Sequence, residues 1–360
     1  MPPTTRLEFT SDNVAGVAPE IMAAIAAAND GPSASYGADP WTARLEARAC
    51  EVFEREVAIL PVATGTAANA LALSLLTPPY GAILCHAQAH AMTDECGAPE
   101  LFSGGAKLLT LPGAMGRVEP RSIERTVGFA REMGVHHVPP AALTLSQATE
   151  WGTVYTLDHL ETLAREAHGV GLAVHLDGAR LANALAHLNC SPAEATWRRG
   201  VDVLSLGATK NGALGAEAVV FFDRARAAEL AFRRKRSGHL VSKMRFLSAQ
   251  LLAYLSDDLW LRHARHANSL ATRLGRGLVR AGGRLVAPVE ANEVFVALPE
   301  VAVAAMRGAG FRFYDWPSPA GEPGPVIRLV TSFDMEPSDI DAVLAILPGS
   351  IGPAGESVDE

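Results

Sequence analysis

Lys210 stands where a lysine can act as a nucleophile. It follows the apolar run VDVLSL, with three residues between, and lies in the glycine-containing turn GATKNGALG, which leads into a second apolar run, EAVVFF. A lysine amine is a poor nucleophile at its ordinary pKa, and burial or a nearby cation lowers that pKa and frees it. The same placement also describes a surface turn lysine. Asp177 ends another apolar run, LAVHLD, with His175 on the same face by the two-residue period of a strand. A carboxylate at the mouth of a buried strand is costly unless a cation faces it. A protonated ring nitrogen of the pyridine type would be such a cation, and the ion pair would keep it protonated. Asp177 could instead cap the next helix or bind a metal, and Arg180 could simply pair with a nearby acid. In AILPVATGTAANALAL an apolar strand turns at Thr64-Gly65-Thr66 into a helix. Glycine lets the backbone approach closely, and free amides plus the helix dipole favour a phosphate; an ordinary capped helix reads the same way. In CHAQAHAMTDECGAPE, His86, His90 and Asp94 recur every four residues, which on a helix would put three metal-type ligands on one face. Gly97 and Pro99 crowd the end of that segment, and a single imidazole used for stacking or acid–base work fits it as well.

The elements that must position these residues alternate. Short β-rich runs fall at 57–62, 82–85, 107–111, 142–146, 171–176, 201–206 and 217–222, several of them apolar on both faces as buried parallel strands should be. Helical stretches lie between them, such as LDHLETLAREAHGVG, with Leu157, Leu160, Leu163 and Ala164 on one stripe and Gly169 as the stop. This predicts an α/β domain with a mostly parallel sheet, whose ligands sit at the carboxyl ends of the strands. A long helical stretch follows over about 224–281, broken near Ser237-Gly238. Beyond it, strand-like and helical runs alternate again and predict a small C-terminal α/β domain. The expected division is an N-terminal segment 1–40, a large domain 41–255, a small domain 256–348 and a disordered tail 349–360.

Of the 360 residues 49% are hydrophobic, enough for one large core and a smaller second one, and the net charge is −8. No basic stripe with interleaved aromatics appears, which argues against nucleic acid as a partner; the run Arg233, Arg234 and Arg236 reads as a solvated helix face. Four scattered cysteines without a CxxC pair, no signal-peptide pattern and no apolar stretch of membrane-spanning length predict a reduced, cytoplasmic chain that does not enter the membrane.

Read in order, SDN, YGADP, ATGTAAN, a histidine followed by ECGA, HLDGARL, ATKNG and IRLVTSF resemble the aldolase branch of the fold-type-I pyridoxal-phosphate (PLP) enzymes, the threonine aldolases and the related phenylserine aldolases. The resemblance runs from about Phe9 to Phe333, and the thirty-three residues from Asp177 to Lys210 belong to its spacing. It implies a large PLP-binding domain with a smaller C-terminal one, and a Schiff base on Lys210. It also implies phosphate contacts from Gly65 and Thr66, and Asp177 at the pyridine nitrogen. His90 resembles the histidine that stacks on the ring near the substrate hydroxyl, and Arg180 the arginine near the cofactor's phenolic oxygen. Ser11 and Arg328 resemble the pair that holds the substrate carboxylate. Tyr36 and Arg245 resemble residues offered by a neighbouring subunit, which implies a homodimer or homotetramer with shared sites.

The chain departs from the commoner members. Thr209-Lys210-Asn211-Gly212 replaces a Ser-Lys-Gly, and Gln147-Ala148-Thr149-Glu150 ends in glutamate where they carry histidine. His136 or His137, a few residues upstream, could supply the lost imidazole. The activity implied is cleavage of an L-β-hydroxy-α-amino acid to glycine and an aldehyde. Rivals are a PLP-dependent β-eliminating lyase or aminotransferase on the same fold, a metal-dependent hydrolase using His86, His90 and Asp94, and a sensor domain without catalysis.

Overall fold

The computed structural model describes residues 7–318 and 324–347; the tail expected at 349–360 lies outside them. The apolar runs form β1 (Ala58–Val62), β2 (Ala82–His86), β3 (Lys107–Leu111), β6 (Pro140–Ser146), β7 (Ala173–Gly178), β8 (Val203–Gly207) and β9 (Glu217–Phe221), with β4 (Gly113–Ala114) and β5 (Arg117–Val118) as a small hairpin between β3 and β6. The seven longer strands make one sheet in the order β1-β9-β8-β7-β6-β2-β3. All run in the same direction except β9, which is antiparallel to both its neighbours. That reversal was not legible from periodicity, and it matters. Because β9 returns beside β8, its first residue, Glu217, pairs with the last residue of β8, Gly207, and so lies at the carboxyl edge of the sheet.

The helix Gly65–Leu76 follows β1 and lies across β8 and β9. Its residues Ala67 to Ser74 are all buried, which the small side chains of TAANALALS permit, since a helix covered on every face has no room for a polar stripe. The helix expected around Leu157 spans Leu157–Gly169, starts where Thr156 Oγ1 accepts from His159 N, and buries Leu160, Leu163 and Ala164. The long C-terminal helical stretch is three helices, Ala227–Arg236, Arg245–Leu255 and Leu259–Arg280. Besides the break near Gly238 there is a second at Ser256–Asp258, where Asp257 and Asp258 adopt positive φ and the helix cannot continue.

The smaller sheet orders β10 (Arg284–Leu285), β11 (Glu293–Ala297), β13 (Val326–Val330) and β12 (Tyr314–Trp316), all antiparallel. The helix Leu259–Arg280 begins in the core of the large sheet, with Trp260 and Ala264, and continues into that of the small one, with Leu270 and Leu274. Phe9 joins this second core and is fully buried. Burial of such a side chain is worth roughly 1.5–3 kcal/mol, and it fixes the N-terminal segment, bridged at Glu8 to Arg312, so that Ser11 and Asp12 reach Arg180. Among the described residues no helix is long and apolar enough to cross a membrane.

Candidate active site

Lys210 lies in a single 3-10 turn, Thr209–Asn211, between β8 and β9. Two buried groups shape that turn. Glu217 accepts hydrogen bonds from Ala208 N at 3.1 Å and Thr209 N at 3.3 Å, while Asn211 donates to Tyr254 Oη and to the Trp260 carbonyl. The asparagine in ATKNG is thus a structural anchor, and Gly212, at φ +116°, turns the chain where a Cβ would press on Ala18 and His263. Burial pushes the Glu217 carboxyl up to about 7, opposed by the Thr209 hydrogen bonds and the Lys210 charge. Among the described residues no hydrogen bond or ion pair occupies the Lys210 amine.

Asp177 lies one residue before the end of β7, in register with Ser146 of β6 and Ser205 of β8. Its carboxylate accepts from Asn69 Nδ2 at 2.8 Å and Ala179 N at 3.0 Å. One row down, His175 bridges Thr144 and Ser205 through its two ring nitrogens, at 2.8 and 2.9 Å; burial lowers its pKa to about 4, so it is a neutral structural strut. His90 Nδ1 lies 2.9 Å from Glu95 Oε1. That contact raises the imidazole pKa; burial opposes it and the Asp177 charge adds to it. Glu95 itself is pushed up by burial, with the His90 and Asn69 hydrogen bonds working against the shift. With Nδ1–H directed to Glu95, the Nε2 lone pair of His90 is left for other chemistry.

The turn after β1 places the N-terminus of the helix Gly65–Leu76 at the same edge. Thr64 Oγ1 caps Ala67 N at 3.1 Å, leaving the amides of Gly65 and Thr66 without an intrahelical acceptor, and a Cβ built on Gly65 would meet nothing within 4 Å. These features fit PLP on the structure's own terms. There is open space at a helix N-terminus for a phosphate, and the buried carboxylate of Asp177 has no cation within ion-pair distance among the described residues. The unengaged Lys210 amine completes the set.

The second half of the site is ionic. Arg180 donates to both oxygens of buried Asp12, at 2.8 and 3.0 Å, and lies 3.5 Å from Glu293. Burial works against the Arg180 charge, but Asp12 and Glu293 outweigh it and raise its pKa. Asp12 is lowered despite burial, chiefly by Arg180 and Lys210. Arg328 donates to the Thr10 carbonyl at 2.9 Å and faces Glu293 at 3.9 Å. Its guanidinium stacks over Trp316, and its Nε is buried without a partner. Ser11 Oγ points back to Asp12 at 3.4 Å. The structure therefore brings Ser11, Arg180 and Arg328 together, and adds Asp12 and Glu293, which the sequence reading did not single out. Glu293 and Glu217 each open an apolar strand, the same signal that marked Asp177 at a strand end.

Other expectations fare differently. His86 is the last residue of β2 rather than part of a helix with His90, and its ring nitrogens are taken up by Gln88 N and the Gly113 carbonyl. Asp94 accepts from Thr93. The three-ligand face therefore does not form, because the helix holding His90 covers only His90–Thr93. His136 and His137 precede β6 at its amino end, with His137 packed on Phe129. That strand runs seven residues from Pro140 to Ser146, so about 20 Å separates them from the carboxyl edge, and they do not replace the missing imidazole. The position itself is filled by Glu150, which accepts from Ser146 Oγ at 2.6 Å and His90 N at 2.8 Å. Burial pushes this carboxyl up to about 7. Tyr36 is exposed and Arg245 half-buried, on neighbouring segments. Tyr36 N donates to the Ser242 carbonyl, Lys235 sits over the Tyr36 ring, and Arg245 donates to the Gly31 carbonyl.

A mostly parallel sheet with these groups at its carboxyl edge and a small antiparallel domain beside it is the fold-type-I architecture of PLP-dependent enzymes. A serine palmitoyltransferase of Sphingomonas wittichii shares this fold, with a TM-score of 0.68 at 16% identity over 95% of this chain and 86% of that one. The model of the beta-eliminating lyase family matches residues 8–300, and the chain belongs to that family. It is 45% identical to a low specificity L-threonine aldolase of Pseudomonas aeruginosa over 93% of this chain and 94% of that protein. It also superposes on a Leishmania major threonine aldolase with a TM-score of 0.89 at 30% identity, covering 95% and 98% of the two chains.

Proposed function

We propose that this chain is a PLP-dependent aldolase that cleaves L-β-hydroxy-α-amino acids of the threonine, allo-threonine or phenylserine type to glycine and an aldehyde. The observation that carries the reading is the convergence of Lys210, Asp177 and the His90–Glu95 pair at one sheet edge, in a chain so similar to a low specificity L-threonine aldolase. Pyridoxal phosphate, held on Lys210, would supply the electron sink that accepts the Cα–Cβ bonding pair.

The remaining work falls to the protein. The Gly65 and Thr66 amides would bind the phosphate, and Asp177 would keep the ring nitrogen protonated. His90 would stack on the ring and take the β-hydroxyl proton at Nε2, directly or through water, with Glu95 fixing its tautomer. Arg328, aided by Ser11, would take the substrate carboxylate; two fixed points at Cα, with the breaking bond held perpendicular to the cofactor plane, favour the L configuration. Arg180, anchored by Asp12 and Glu293, would serve the cofactor's phenolic oxygen.

The reading includes a cytoplasmic homo-oligomer in which Tyr36 and Arg245 serve a neighbouring copy's site, and a division of the chain near residue 255 into cofactor and small domains. Its test is a panel of β-hydroxy amino acids incubated with PLP-supplemented protein. Equimolar glycine and aldehyde are expected, whereas a keto acid, or no aldehyde from any member, refutes it.

A further inference from the structure

Asn69 lies on the helix Gly65–Leu76, is 2% exposed, and makes two hydrogen bonds from a single nitrogen. Its Nδ2 donates to Glu95 Oε1 at 2.7 Å and to Asp177 Oδ2 at 2.8 Å. Two N–H bonds diverging at about 120° place those carboxylate oxygens roughly 5 Å apart. Together with the His90 contact, this makes an unbroken chain, His90 Nδ1–Glu95 Oε1–Asn69 Nδ2–Asp177 Oδ2, across three separate elements. The Asn69 Oδ1 atom is buried without a partner, so the amide's orientation is set by the two acids alone.

Two buried carboxylates that close repel one another, and one of them would ordinarily hold a proton. We infer that Asn69 is a positioning residue whose two N–H donors keep Glu95 and Asp177 ionised together, so that His90 carries its proton on Nδ1 while Asp177 remains a full counter-charge. An aspartate or a hydroxyl in its place has at most one proton to donate and cannot serve both acids. Of the charged groups around the pair, His90 favours ionisation of Glu95, Lys210 acts on His90, and Glu150 and Asp177 repel one another. Without Asn69 a proton moves to the acids. Glu95 then takes up one proton from solvent and donates it to His90 Nδ1, the single proton of the imidazole resides on Nε2, and the nitrogen needed as a base is blocked. The inference rests on Asp177 being the ring nitrogen's partner.

Asn69→Ala and the near-isosteric Asn69→Asp test it, with the full chain measured with and without PLP. Nitrogen NMR of ring-labelled histidine reports the His90 tautomer. The wild type is expected to carry Nδ1–H and both variants to move to Nε2–H. PLP titration should show at least about tenfold weaker binding, the scale of one hydrogen bond to a charged group. An unchanged tautomer in Asn69→Asp, which preserves packing, overturns the inference, as does unchanged PLP affinity in either folded variant. Wild-type protein that binds no PLP would instead refute the proposed function, and the tautomer in the cofactor-free chain would still decide the role of Asn69.

Discussion

Replacing Glu217 by glutamine removes a buried titrating group beneath the Lys210 turn while preserving its shape. Its folded-state pKa of about 7 lies above the ordinary value of 4.5, so the folded protein holds a proton that the unfolded chain has released. Stability from this group is therefore fully present below about 4.5 and is lost as pH rises through 7. Between pH 5 and pH 8 the loss works out at about 2.5 kcal/mol for that pair of pKa values. The substitution also turns one acceptor toward Ala208 N or Thr209 N into a donor, which costs about 1–3 kcal/mol, but that cost is the same at both pH values and cancels. Urea unfolding of cofactor-free wild type and variant at pH 5 and pH 8 gives the four stabilities required. The wild type should lose about 2–3 kcal/mol more than the variant over this interval. Parallel losses, within about 0.5 kcal/mol, would show that Glu217 is ionised throughout and that burial does not govern it.

Borohydride treatment of the PLP-loaded protein should fix the cofactor on Lys210, read by peptide mapping; an adduct on any other lysine sinks the assignment. Asp177→Ala should still accept the cofactor but bind it at least tenfold more weakly and slow cleavage strongly, since the ring nitrogen loses its counter-charge; near-normal turnover would reassign this strand end. His90→Ala should lower kcat by about 100-fold or more, the scale of general base catalysis, and His86→Ala far less, because His86 is engaged by Gln88 and Gly113. Equal losses together with chelator sensitivity would favour a metal after all.

Much of the site was legible in the linear sequence because it obeys local rules. A lysine in a glycine-bounded turn, an aspartate closing an apolar strand and a Gly-Thr helix start each announce themselves by short-range pattern, and the alternation of apolar runs specified the sheet. What needed the tertiary structure were the partners, because a hydrogen bond from residue 69 to residue 177 has no periodicity. The reversal of β9 brought Glu217 to the site edge, and only the order of strands could reveal it. Asp12, Glu293 and Arg180 meet from three distant segments, drawn together by the burial of Phe9 and the register of the small sheet. The misplacement of His136 and His137 has the same origin. Nearness in sequence suggested nearness in space, but a seven-residue strand carries a chain from one edge of a sheet to the other. Local propensity decides which residue types stand at the ends of elements, and the packing of those elements decides which ends coincide.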